Sequence, residues 1–336
     1  MTEKTHHFEC IIGGKEADKQ SASSLLQEIF DSRNSSLEEY ELKKTPEDLE
    51  VIKTIEPLVD KMVLNYGGKI KATPIDHIYI LKLGSISKMT KGRLNGVIYR
   101  IMGSKIGIEK EKSKLMFVGV IAYELLHSKS YKSARIGKSA DDVRLYRNGI
   151  EMYDMKNPDS KHSEEKNYFG GLEEAIVAEC TRKILDELRK EEVEAIDKLL
   201  SWVVKYFQKK GLSEEKSAEL VAEFKYIPDA QNYVKKVLAF SDDEKKRQAY
   251  AAGMFESIYK SDRVKLTERY YERMNMYKVL DRLVADSGGK FKERDEIFDE
   301  FAKANFTGNY LSLARIIEGI LGKGSFRKLA EEFSND

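Results

Sequence analysis

Two cysteines in 336 residues, Cys10 and Cys180, make no disulfide framework and no C-x-x-C metal pair. They read as reduced intracellular thiols. Nor does charge of one sign dominate. The 58 Lys and Arg face 57 Asp and Glu, a formal net charge of +1, so no global field draws the chain to nucleic acid or to a membrane. No apolar run approaches the roughly 18 residues of a membrane span. The first residues are polar and charged, without the apolar stretch of a signal peptide, and the expected location is cytoplasmic. A nucleophile elbow of the form G-x-S-x-G is also lacking. Gly-Gly-Lys triplets begin at Gly13, Gly67 and Gly288, but none has phosphate-loop spacing and each reads as a turn. Gly322-Lys323-Gly324 follows a helix, where a dinucleotide site needs a preceding strand.

Charged residues make up 34% of the chain and hydrophobic ones 41%, which favours solvated helices over a β-sandwich. Serine-rich, charged sequence over residues 1–45 reads as a loosely ordered arm with one helix, and His6-His7 within it as inert. From Pro46, helical spacing of Val51, Ile55, Leu58, Val59 and Met62 predicts a helix to about Leu64, stopped by Gly67-Gly68. After Pro74 the period becomes two, with Ile75, His77, Tyr79 and Leu81 on one face of a strand. Gly96–Ile101 and Lys105–Ile108 read as two more strands around a turn at Met102-Gly103-Ser104, and Lys114–Tyr131 as a helix. Alternation around Asn148-Gly149 predicts a hairpin over Val143–Tyr153. A polar loop from Asn157 to Lys166, containing His162, precedes a helix that opens at Gly170-Gly171-Leu172-Glu173-Glu174.

Within the Lys114 helix, Tyr123-Glu124-Leu125-Leu126-His127 fills the frame of the zinc-peptidase signature H-E-x-x-H, with tyrosine at the first histidine. In that signature the histidines, four residues apart on one helical face, bind zinc. The glutamate between them is the general base for a water activated by the metal. The set formed by Gly96–Tyr131, Arg147-Asn148-Gly149 and Leu172-Glu173-Glu174-Ala175 resembles the gluzincin class of zincin-like metallopeptidases. That resemblance covers roughly residues 50–185. It implies zinc as cofactor, His127 and Glu174 as ligands, Glu124 as general base and a peptide or protein as substrate. Tyr123 stands at the remaining ligand position, and Glu173 where the family's motif usually has asparagine. A phenol with a pKa near 10 is a poor zinc ligand at pH 7. Substitute ligands to weigh are His162 from the loop and Glu179, beyond Glu174 on the same helix.

The remainder reads as helical. Ile196, Leu199, Leu200, Val203 and Phe207 recur at helical spacing, Ser241-Asp242-Asp243-Glu244 is a capping box, and the aromatic and basic residues of Thr267–Val284 read as helix packing and not as an RNA surface. The tail from Gly308 to Glu331 resembles the helical C-terminal part of the same peptidase group. The expected fold is α+β: a zincin-like domain over residues 46–190, followed by a helical domain over 191–336. The expected function is that of a zinc metallopeptidase-family protein with activity impaired by the missing ligand. The alternative is an inactive pseudopeptidase that binds a peptide or protein, with no role for nucleic acid or membrane.

Overall fold

The computed structural model describes residues 9–32, 35–89, 97–98, 105–110, 114–137, 143–153, 167–188, 201–205, 207–214, 217, 233, 236–237, 239–260 and 269–334. The chain is a mixed α+β protein. By contacts it forms two units, Met1–Thr181 with Glu272–Asp336, and Arg182–Tyr271. This differs from the division read in the sequence. The helices from Glu272 onward group with the N-terminal half, where Tyr66 meets Phe298 and Phe306 and the Ile150 amide donates to Asn305.

Helix α1 (Glu16–Ser32) and the short α2 (Ser35–Glu38) lie in the segment read as a loosely ordered arm with one helix. Strand β1 (Cys10–Ile12) pairs in parallel with β5 (Lys132–Ile136). Glu9 anchors it, accepting the Lys132 amide at 2.7 Å and pairing with the Lys71 ammonium. Leu37 and Ala22 are wholly buried. A three-residue edge strand leaves too short a periodic trace to be seen in sequence.

Helix α3 (Pro46–Asn65) starts where a capping box dictates. The Thr45 amide donates to Asp48 Oδ2 at 2.9 Å and the Asp48 amide to Thr45 Oγ1 at 3.2 Å. Its buried face carries Val51, Ile52, Ile55, Val59 and Val63, so the apolar stripe runs beside Leu58 and Met62, which are only half-buried. Residues 75–77 form a 3-10 turn, and only Ile78–Leu81 (β2) is a strand. All four of its residues are buried, so it is a two-sided core strand, and the alternation read through His77 does not hold. β2 pairs in parallel with β4 (Ile106–Glu109), and β4 pairs antiparallel with β3 (Val97–Ile98). The turn expected at Met102-Gly103-Ser104 lies outside the described residues.

A short helix α4 (Ser85–Met89) lies between β2 and β3, and helix α5 (Lys114–Lys129) packs against α3 and β4. It is buried on several sides, as its apolar run Phe117, Ile121, Ala122, Leu125 and Leu126 requires. Its end is fixed by Lys129, 1% exposed, whose ammonium donates to the Lys71 carbonyl at 2.7 Å and lies 2.8 Å from Asp60. The expected hairpin forms from β6 (Val143–Asn148) and β7 (Glu151–Tyr153), with β8 (Asn167–Tyr168) beyond it. The larger sheet therefore runs β1-β5-β6-β7-β8. Helix α6 (Gly170–Leu188) follows.

In the unit Arg182–Tyr271, Val203, Phe207, Val237, Ala251 and Phe255 form the core, the last two from α7 (Glu244–Lys260). Helices α8 (Tyr270–Asp286), α9 (Arg294–Thr307), α10 (Tyr310–Leu321) and α11 (Ser325–Glu332) close the chain. Tyr66 at the end of α3 stacks on Phe306 of α9 at 6.1 Å. Among the described residues no helix is long and apolar enough to cross a membrane.

Candidate functional site

The i, i+4 spacing of α5 puts Tyr123 and His127 on one face, with their rings in edge contact at 4.5 Å and 84°. The first turn of α6 faces them. His127 Nε2 lies 3.5 Å from Glu174 Oε2, and the Tyr123 hydroxyl donates to that same oxygen. The fold thus brings Tyr123, His127 and Glu174 together across 51 positions of sequence, from Tyr123 to Glu174. Glu124 is 7% exposed on the same helix.

Glu173, which the sequence reading noted only as a departure from the family's asparagine, has a defined place. Its Oε1 lies 2.9 Å from His127 Nδ1, with both side chains fully buried. With the Glu173 carboxylate accepting, Nδ1 carries a proton, and Nε2 is the ring nitrogen turned toward Glu174. The imidazole is therefore bracketed by two consecutive glutamates. One residue's difference along the helix turns their side chains far enough apart to reach opposite edges of the ring.

His127, Glu173 and Glu174 each offer a donor atom within 4.8 Å of the others. They are still not a three-ligand chelate, because the two ring nitrogens point away from each other and Glu173 meets the one that Glu174 does not. The pair able to share a metal is His127 Nε2 with Glu174. Two ligands of a tetrahedral zinc with bonds near 2.0 Å are separated by about 3.3 Å. The observed 3.5 Å fits that edge. Glu173 fits the carboxylate that commonly holds the far nitrogen of a ligating histidine.

Of the substitute ligands read from sequence, Glu179 is not brought to this pair. Glu179 accepts from the Tyr277 hydroxyl, and its carboxylate lies 4.0 Å from the buried Arg273, so it is tied to α8. His162 lies outside the described residues.

The Asn148-Gly149 turn supports Glu173 from behind. Gly149 has φ +60°, and a Cβ placed there would sit 2.0 Å from Asn305 Oδ1 and 3.2 Å from Glu173 Cγ. Asn305, fully buried on α9, accepts the Ile150 amide at 2.9 Å and donates to Ser130 Oγ at 3.1 Å. Arg147 completes the clasp. Its guanidinium lies 5.0 Å from the Tyr131 ring centroid and 4.1 Å from that of Tyr310, and it donates to the Gly308 carbonyl at 2.9 Å. Nothing in the tail sequence marked Asn305 as a neighbour of this turn. Compared with family models, curated proteins and solved structures, the chain matches none.

Proposed function

We propose that this chain is a zincin-like relative of the zinc metallopeptidases, acting on a peptide or protein, with hydrolysis weakened by the exchange of one ligand for Tyr123. The observation that carries the reading is the 3.5 Å spacing of His127 Nε2 and Glu174 Oε2 on facing helices, with the buried Glu124 on the same helix as His127. His127 and Glu174 would hold the zinc, which when bound supplies a Lewis acid for the scissile carbonyl and acidifies water. Glu124 then takes a proton from the attacking water at its carboxylate and passes it to the leaving amine. Glu173 keeps the His127 ring turned with Nε2 toward Glu174.

Tyr123 works against this chemistry. Its hydroxyl donates to the Glu174 oxygen that a metal would use, so zinc must displace that bond and still lacks a third protein ligand among the described residues. Tight catalytic sites keep three. The same observation favours a second reading, an inactive pseudopeptidase in which the Tyr123–Glu174 bond closes the metal site and the cleft only binds. We place either form in the cytosol, since two cysteines in 336 residues make no disulfide framework.

Metal content and cleavage decide. The native chain should lose zinc on dialysis against a mild chelator. Tyr123→His should take up one equivalent and cleave a mixed peptide substrate, and adding Glu124→Gln should keep the metal and abolish cleavage. Cleavage by the native chain that Glu124→Gln removes selects the first reading over the second. A folded Tyr123→His variant that takes up no zinc removes the zincin reading.

A further inference from the structure

Helix α6 follows a residue in a conformation that side chains rarely adopt. Phe169 has φ +64° and is 1% exposed. A bulky residue stays in the left-handed region only where its surroundings hold it. Its carbonyl accepts from the amides of Leu172 at 3.1 Å and Glu173 at 2.9 Å. The left-handed residue thereby supplies the first bonds of the turn that bears Glu173 and Glu174.

What holds Phe169 is α11. The Phe169 amide donates to the Ala330 carbonyl at 3.3 Å, and the Gly171 amide to the Phe333 carbonyl at 3.2 Å. The start of a helix leaves amides without internal partners, and the end leaves carbonyls. Here the end of α11 satisfies the start of α6, with the negative end of one helix dipole against the positive end of the other. The contact is buried, with Leu329, Ala330 and Phe333 all in the core. Phe326 adds a side-chain anchor, its ring 5.0 Å from Phe169 and 6.4 Å from Tyr310.

We propose that α11 is a positioning element for the candidate site: the carbonyls of Ala330 and Phe333 hold the turn at Phe169–Gly171 from which Glu173 and Glu174 reach His127. Only the use made of the placed carboxylates rests on the zincin-like reading. The placement rests on backbone bonds. Loosening α11 frees Phe169 to leave the left-handed region, which swings the first turn of α6 and withdraws Glu174 from His127. Helix α5 stays where it is, because Lys129 fixes its end on Asp60 and on the Lys71 carbonyl.

Hydrogen exchange tests this without any metal. Two proteins are compared with the native chain: one ended after Gly324, and one of full length carrying Phe326→Ala, which keeps every backbone carbonyl. Amides 169–174 should exchange about tenfold faster or more in both, the effect of weakening two backbone bonds on a local opening. Amides 119–127 of α5 serve as the reference and should not change. In a Tyr123→His background, Phe326→Ala should weaken zinc binding by a similar factor. Unchanged exchange at 169–174 in the Phe326→Ala protein overturns the proposal, and that protein alone decides if the shortened chain loses protection in α5 as well. Failure of Tyr123→His to bind zinc counts against the zincin reading and leaves the exchange result standing.

Discussion

His127 and Glu173 are joined by a 2.9 Å bond between Nδ1 and Oε1, and neither side chain is exposed to solvent. A buried donor that loses its acceptor carries the full cost of desolvation, while a bond kept with a weaker acceptor costs less. The orientation of the imidazole therefore depends on a residue one position before the expected ligand Glu174.

Replacing Glu173 should separate these effects. Glu173→Ala should lower stability by about 1–3 kcal/mol in urea unfolding, and Glu173→Gln, which keeps an amide oxygen, by less. Nitrogen NMR of His127 adds a readout that general destabilisation does not move. The proton should sit on Nδ1 in the native chain and in Glu173→Gln, and be shared between tautomers in Glu173→Ala. Equal stability and one tautomer in all three proteins would show that the bond orients nothing.

Gly149 is constrained twice, by φ +60° and by Asn305 Oδ1 lying 2.0 Å from where a Cβ would be. Gly149→Ala should cost about 2–4 kcal/mol, more than the strain of the backbone alone. Asn305→Ala should cost about 1–3 kcal/mol by leaving the Ile150 amide without its acceptor. Because the clash needs both side chains, the double variant should cost less than the two single ones together. Additive costs in thermal or urea unfolding would contradict the contact.

Asp48 supplies a pH dependence. Burial pushes its carboxyl up, but the bonds from Lys110 and Thr45 outweigh burial and hold it below the usual carboxylate value. A group depressed in the folded state contributes in full above its unfolded pKa, about 3.9, and loses that contribution as pH falls through its folded pKa. The stability gap between the native chain and Asp48→Asn should thus be constant from neutral pH down to about 5 and shrink below about 4. A gap of the same size at pH 7 and pH 3 would contradict the assignment.

Much of the fold around the site was legible in the residues. The helix from Pro46, the Asn148-Gly149 hairpin and the helix through Tyr123 and His127 each depend on contacts a few residues apart. Such contacts leave a periodic or positional trace. The strand β1 and the buried character of β2 were not legible, since short core strands lack a period and pairing partners lie far along the chain. Glu179 shows the same limit at the site. Its helix position suggested a spare ligand, and only α8, through Tyr277 and Arg273, decides that it turns elsewhere.

By itself the sequence determined which side chains share a face of α5: Tyr123, with its phenol, and His127 four residues on. Helical pitch alone sets that. It also determined that two consecutive carboxylates open α6. Tertiary structure alone decided that Glu173 meets Nδ1, that Glu174 meets Nε2 and the Tyr123 hydroxyl, and that α11 holds the turn from which both project. The physical reason is that a hydrogen bond depends on where two helices stop relative to each other. That is set by the packing of α3, α9 and α11, whose spacing in sequence carries no mark of it.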